Sequence, residues 1–355
     1  MPFNYKFLVI LLISLATISC NKDKPSEFDR KAMLENMALN VIIPAYQAQK
    51  NSIQLLKDKS DLFIVSPTVQ SLQDLKTQYF LAYKDFQRCG LYNFGPAGDY
   101  GIKAAFNTFP TDSSKIEANI TAGVYTLESA TNSTAIGYPA IDYLLFFGTD
   151  TEIINKFTLS NNRKNYLNDI VTKMNNEIGP VVDQWNNSYK SSFIAADGND
   201  ANSSCSYLVN EFAKEIDLLK GAKIGIPFGQ QTGGMLFPNY VEAYWSGYSK
   251  TLLIENIAGL KNAFLGGDGL GFDDYIRDVE SENTVPSLTD KIIVQLQICT
   301  DKTEVLGEPF SNQITTNSAG VSELYNEVKK LLVYCKTDMT SMLGILITYQ
   351  DNDGD

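Results

Sequence analysis

Not one histidine occurs in the 355 residues. Histidine is the commonest metal-ligating side chain and the usual general base near neutral pH. Its absence excludes Ser-His-Asp and Cys-His catalytic arrangements and every histidine-based zinc site. Cysteine is also scarce, at five residues, and no two are close enough to read as a zinc or redox motif. Basic residues are in the minority, 29 against 41 acidic ones. That balance disfavours DNA, RNA and anionic lipid surfaces as partners, because their phosphates would be repelled rather than neutralised. Long apolar runs are rare as well. The most apolar one, Phe7 to Ile13, is too short to cross a bilayer as a permanent helix, which takes about 20 residues. No stretch alternates strands and helices as a parallel sheet requires.

The N-terminus does carry information. Residues 1–20 read as a signal peptide, with Lys6 as the only charge ahead of the apolar run and small residues behind it. Thr17-Ile18-Ser19-Cys20 resembles a bacterial lipobox, with Thr17 where that motif usually has Leu. Cys20 is then the lipidated mature N-terminus, and residues 21–27 form a polar tether. Acyl chains contribute roughly 0.8 kcal/mol per buried methylene, so several on one cysteine hold firmly. The expected location is the bacterial cell envelope, lipid-anchored and facing the periplasm or the cell surface, with the lipid as the only membrane contact.

The chain as a whole has ordinary globular composition, 44% hydrophobic and 20% charged. Apolar residues at helical spacing run from Ala32 to Leu56, with a kink expected at Pro44. Ser66-Pro67 predicts an N-cap and first-turn proline for a helix marked by Val69, Leu72, Leu75, Tyr79, Tyr83 and Phe86 and ending at Gly90. A shorter helix follows around Ser114 to Glu128. Leu167, Ile170, Met174, Ile178, Val181 and Trp185 keep the period through Gly179-Pro180. Further helices are expected near Ser203 to Lys220, Asn239 to Leu265, Ser287 to Cys299 and Ser318 to Met339. The architecture is therefore all-α, with two bundles spanning residues 28–155 and 156–355. Cys89 and Cys205 read as buried thiols on helix stripes. Cys299 and Cys335 fall on the apolar stripes of two successive helices and form the one disulfide candidate.

Other motifs are weak. Gly267-Asp268-Gly269-Leu270-Gly271 follows a helix rather than a strand and reads as a connecting turn, not a nucleotide loop. Asp351-Asn352-Asp353-Gly354-Asp355 opens like a calcium loop, but no closing Glu follows it in the sequence. Asp197 to Asp200 reads as a polar turn.

The most informative segment is Gly137-Tyr138-Pro139-Ala140-Ile141-Asp142-Tyr143-Leu144-Leu145. It resembles the signature of the imelysin family of bacterial envelope proteins, Gly-x-His-x-x-Glu followed by an aromatic residue and two leucines. Val41-Ile42-Ile43-Pro44-Ala45-Tyr46, Asn93-Phe94-Gly95-Pro96, Asn256-Ile257-Ala258-Gly259-Leu260 and Ile347-Thr348-Tyr349-Gln350-Asp351-Asn352-Asp353-Gly354-Asp355 support the match. The resemblance implies a duplicated pair of helical bundles, and either a metallopeptidase or a periplasmic protein tied to iron uptake. The chain departs from the signature at both chemical positions, with Pro139 for His and Asp142 for Glu. Gly137 and Pro139 then set the start of a helix. Asp142 is open to two readings, a helix-capping group or a buried acid kept for a ligand. With Asp112, Glu128 and Glu242 it could form an all-oxygen site for a divalent or ferric cation.

The resulting expectation is a non-catalytic lipoprotein that binds a metal ion, a metal chelate or a partner of an envelope uptake system in a cleft between bundles. The alternative, a metal-dependent peptidase, would need an unusual carboxylate site in the absence of histidine. Replacing Cys20 with Ala is expected to move the protein from the membrane fraction to the soluble fraction of lysed cells, as read by immunoblotting. Retention in the membrane fraction would contradict lipid anchoring.

Overall fold

A computed structural model of the chain describes residues 28–280 and 286–349. The expected signal peptide, lipidated Cys20 and tether, and the acidic run from Asp351, lie outside the described residues. Within them every regular element is helical, and no helix is long and apolar enough to cross a membrane.

Helix α1 (Arg30–Asn36) is capped by Asp29, which accepts from the Ala32 N–H at 2.9 Å. It passes through a π-helical turn (Met37–Ile42) into α2 (Ile43–Val65). Pro44 accounts for the wide turn, because it has no N–H and its ring would meet the carbonyl four residues back; Ile43 instead donates to Ala38, five back. Helix α3 (Val69–Cys89) begins at a capping box formed by Thr68 and Ser71, so the cap is Thr68 rather than Ser66.

Short pieces follow: α4 (Pro96–Asp99), α5 (Ile102–Phe106), α6 (Ser113–Ala122), a 3-10 turn (Ala130–Ala135), α7 (Gly137–Phe146) and α8 (Asp150–Leu159). Helix α9 (Asn161–Gln184) runs straight through Pro180 into a π-helical turn (Trp185–Tyr189) and α10 (Lys190–Ala195). Its apolar face, Leu167, Ile170, Met174, Ile178 and Val181, is fully buried, and α9 packs along α2 as α2 packs along α3. The boundary expected at 155/156 therefore falls inside the first bundle. The three-helix contact that stabilises that bundle needs α9, and the bundle continues to Ala195.

The second bundle contains α11 (Ser204–Leu218), α12 (Ser249–Leu265), α13 (Phe272–Val279), α14 (Leu288–Glu304), α15 (Phe310–Thr316), α16 (Ser318–Val333) and α17 (Thr340–Leu343). Here α12 packs on α14, α14 on α16, and α11 on both α12 and α16.

The bundles meet where α3 crosses α12. A Cβ at Gly259 would stand 3.1 Å from Arg88 Cα and 3.2 Å from the Gln87 carbonyl, so glycine sets how closely the helices approach. One turn away, Glu255 accepts from both Lys84 and Arg88 at 2.6 Å.

All four described cysteines are buried free thiols. Cys299 lies on α14 and Cys335 in the π-helical turn (Tyr334–Met339) packed against it, but the expected disulfide between them is not made. Burial disfavours the thiolate that disulfide exchange requires, pushing Cys299 up to about 12 and Cys335 well above its ordinary value. Iodoacetamide at mildly alkaline pH is expected to leave these thiols unlabelled in the native protein and to label them in concentrated guanidinium, as read by mass spectrometry. Rapid native labelling would contradict their burial.

Candidate functional site between the bundles

Helix α7 starts where the chain must turn hard against α5. Gly137 sits at φ +70°, and a Cβ there would lie 2.3 Å from the Phe106 carbonyl oxygen, which only glycine tolerates. Pro139 falls in the first turn, where a missing N–H leaves no helical bond unmade. Asp142 follows, 1% exposed. Its Oδ2 accepts from the Trp245 N–H at 2.7 Å, the Ser246 N–H is shared between its oxygens at 3.2 and 3.3 Å, and the Tyr79 hydroxyl donates to Oδ1 at 3.1 Å. Burial pushes the carboxyl up to about 6, against the pull of these donors.

The segment that Asp142 holds is irregular. A helix was expected from Asn239; instead a 3-10 turn (Pro238–Tyr240) leads into turns, with Ala243 at φ +51° and Gly247 at φ +77°, before α12 starts at Ser249. Helical periodicity missed this stretch because it is rich in aromatic residues that pack without continuing a helix. Pro238, Gly247 and the density of Tyr240, Tyr244 and Trp245 were the available signals.

A cavity of ≈ 830 Å³ lies between this segment and the first bundle. Four aromatic side chains (Phe109, Tyr240, Tyr244, Trp245) line it, together with the hydroxyl residues Thr111, Ser113 and Thr134 and the carboxylates of Asp112 and Asp142; no Lys or Arg lines it. Asp112 is exposed at the N-cap of α6, accepting from the Lys115 N–H at 2.9 Å.

The other two predicted ligands are elsewhere. Glu128 is exposed 3.9 Å from Lys173 and borders a separate groove with Asp169 and Glu177. Glu242 is buried with its side chain in a polar cluster, accepting from Lys223 at 3.1 Å, Gln87 at 2.8 Å and Asn107 at 2.5 Å. The four carboxylates thus do not converge. Among the described residues, no group of three or more His, Cys, Asp or Glu could hold a metal ion. Sequence reasoning also missed Lys223, Gln87 and Asn107, which no motif marks.

The profile of the Imelysin family matches residues 42–333. The chain belongs to the imelysin family. Iron-regulated protein A of Synechococcus elongatus is similar at 21% identity over 296 residues, 80% of this chain and 78% of the relative. Among solved structures, a Parabacteroides distasonis protein described as an iron-regulated protein A precursor superposes with a TM-score of 0.78 at 19% identity, covering 91% of this chain and 97% of that one. An imelysin-like protein from Psychrobacter arcticum gives a TM-score of 0.71 at 18% identity, covering 90% and 97%. These two likenesses establish the imelysin fold.

Asp142→Ala leaves two backbone N–H groups and the Tyr79 hydroxyl buried without a partner. It is expected to destabilise the protein by about 3 kcal/mol or more in denaturant unfolding. The pH dependence has a definite sign. Because the folded carboxyl titrates near 6 and the unfolded one near 3.8, the native state holds an extra proton between those values. Stability contributed by Asp142 therefore falls as pH rises through that window. Across it, wild type should lose more stability than Asp142→Asn; equal slopes would place the titration elsewhere.

Proposed function

We propose that this imelysin is a non-catalytic lipoprotein of the bacterial cell envelope that binds a metal chelate in the cavity between its bundles, serving an envelope uptake system for iron. The observation that carries the reading is the composition of the cavity wall: two carboxylates, aromatic rings and hydroxyls, with no cationic side chain. A cavity of ≈ 830 Å³ is far larger than a bare ion needs, and its size suits an organic complex. The wall chemistry suits a complex of neutral or positive charge, which aromatic faces and carboxylates attract.

Catalysis is not favoured by the residues in place. Pro139 cannot ligate or shuttle a proton, and both Asp142 oxygens are occupied by donors. The resemblance to iron-regulated protein A supports a link to iron, and the lipobox-like Cys20 supports envelope anchoring.

Calorimetric titration of the mature chain with cationic ferrioxamine B, anionic ferric citrate and free iron, zinc, calcium and magnesium ions tests the reading, alongside a general peptidase assay. Ferrioxamine B is expected to bind saturably and ferric citrate not to bind. Tyr244→Ala and Asp112→Asn should each weaken binding about tenfold, which is about 1.4 kcal/mol. Peptide turnover, or binding of none of these probes, would overturn the proposal.

A further inference from the structure

A second cavity, of ≈ 350 Å³, shares Phe109 with the first and has a different chemistry. Phe86, Phe109 and Leu218 give it an apolar side, while Gln87, Lys103, Glu215, Lys223 and Asn256 give it a polar one. Of these five polar residues all but Lys103 are buried. The charges balance in two pairs, Lys103 with Glu215 and Lys223 with Glu242 at 3.1 Å. Burial alone would raise Glu215, but Lys103 and Lys223 outweigh it and hold the carboxyl at about 2, so it is ionised.

The pairs differ in what they leave over. Lys223 is saturated, meeting Gln87 Oε1 and both Glu242 oxygens. Lys103 donates to Glu215 alone among the described residues, so donors remain on its ammonium. Asn256 donates to Glu215 Oε1 at 2.6 Å, and its own Oδ1 is buried with no hydrogen-bond partner. Reversing that amide would turn its oxygen toward a carboxylate, so the orphaned atom is the acceptor. A buried acceptor without a donor is costly and calls for explanation.

We propose that this chamber binds a small zwitterion with an apolar body, of the size of one amino acid. The ligand carboxylate takes the spare donors of Lys103, and its ammonium donates toward Asn256 Oδ1 and Glu215. Its side chain lies along Phe86, Phe109 and Leu218. A zwitterion adds no net charge to a set of buried pairs that is already balanced, whereas a lone anion or cation would leave a desolvated charge uncompensated.

The test is calorimetric titration of the whole mature chain with L-phenylalanine and L-leucine, with 3-phenylpropanoate and 2-phenylethylamine as half-ligands. Saturable binding of at least one amino acid is expected, and each half-ligand should bind at least tenfold more weakly than L-phenylalanine. Ala104, exposed at the rim, provides a variant that leaves the charge pairs intact, and Ala104→Trp should abolish binding while the circular dichroism spectrum is unchanged. Lys103→Met should weaken binding at least tenfold, and Asp112→Asn, in the other cavity, should leave it unchanged. Absence of binding by both amino acids, or binding that survives Ala104→Trp, overturns the proposal and leaves the cluster as an electrostatic clamp between bundles.

Discussion

The backbone N–H groups of Trp245 and Ser246 find no carbonyl partner in the irregular run before α12, and the carboxylate of Asp142 takes both. Their satisfaction has a cost, because a buried carboxylate loses its water, and the upward shift of its titration records that cost. Two backbone donors and a tyrosine hydroxyl offset it. Much else depends on this exchange. The strand-free segment from Pro238 to Gly247 forms one wall of the larger cavity, carries Ala243 in the left-handed region, and turns the Glu242 side chain toward the smaller one. Without an acceptor reaching across from α7, nothing regular in the local backbone would fix that shape.

The two cavities divide chemistry around Phe109. On one side the lining carries carboxylates and aromatic faces, and on the other it carries two ammonium groups with their counter-charges buried beside them. Glu242 connects the two sides. Its neighbours Val241 and Ala243 line the larger cavity while its side chain accepts from Lys223, Gln87 and Asn107 at the smaller. Low effective dielectric makes each of these groups sensitive to charge placed nearby, so the net neutrality of the smaller cluster limits the cost of burying it.

How much of this was legible in the sequence follows from what periodicity can report. Long amphipathic helices such as α3, α9 and α16 were visible because their buried faces repeat at three and four residues. Their partners were not visible. That α9 packs on α2, and so moves the bundle boundary, depends on contacts across more than a hundred positions. Pro44 was legible as an interruption, yet the form it takes, a π-helical turn just before the proline, comes from where the orphaned carbonyls can find donors. The site was half legible. Gly137, Pro139 and Asp142 stood out as a motif, and Asp112 does reach the same cavity. Glu128 and Glu242 were grouped with them by charge alone, and charge does not say which way a side chain points.

The departures from the family signature read differently once the geometry is known. Gly137 is required by a backbone angle and by the Phe106 carbonyl, neither of which concerns chemistry at a ligand. Pro139 is compatible with the first helical turn and lines the cavity with a side chain that can neither ligate a metal nor carry a proton. Asp142 is one methylene shorter than the glutamate of the signature. Its oxygens already end on the N–H groups of Trp245 and Ser246, so they stay in the wall. A longer side chain from the same Cα would have to fold back to make those bonds or extend past them toward the cavity. Each residue of the motif has a structural task, at the start of α7 or against the irregular segment before α12. The motif in this chain is thus accounted for by backbone geometry and by the two N–H groups it satisfies, without reference to any ligand.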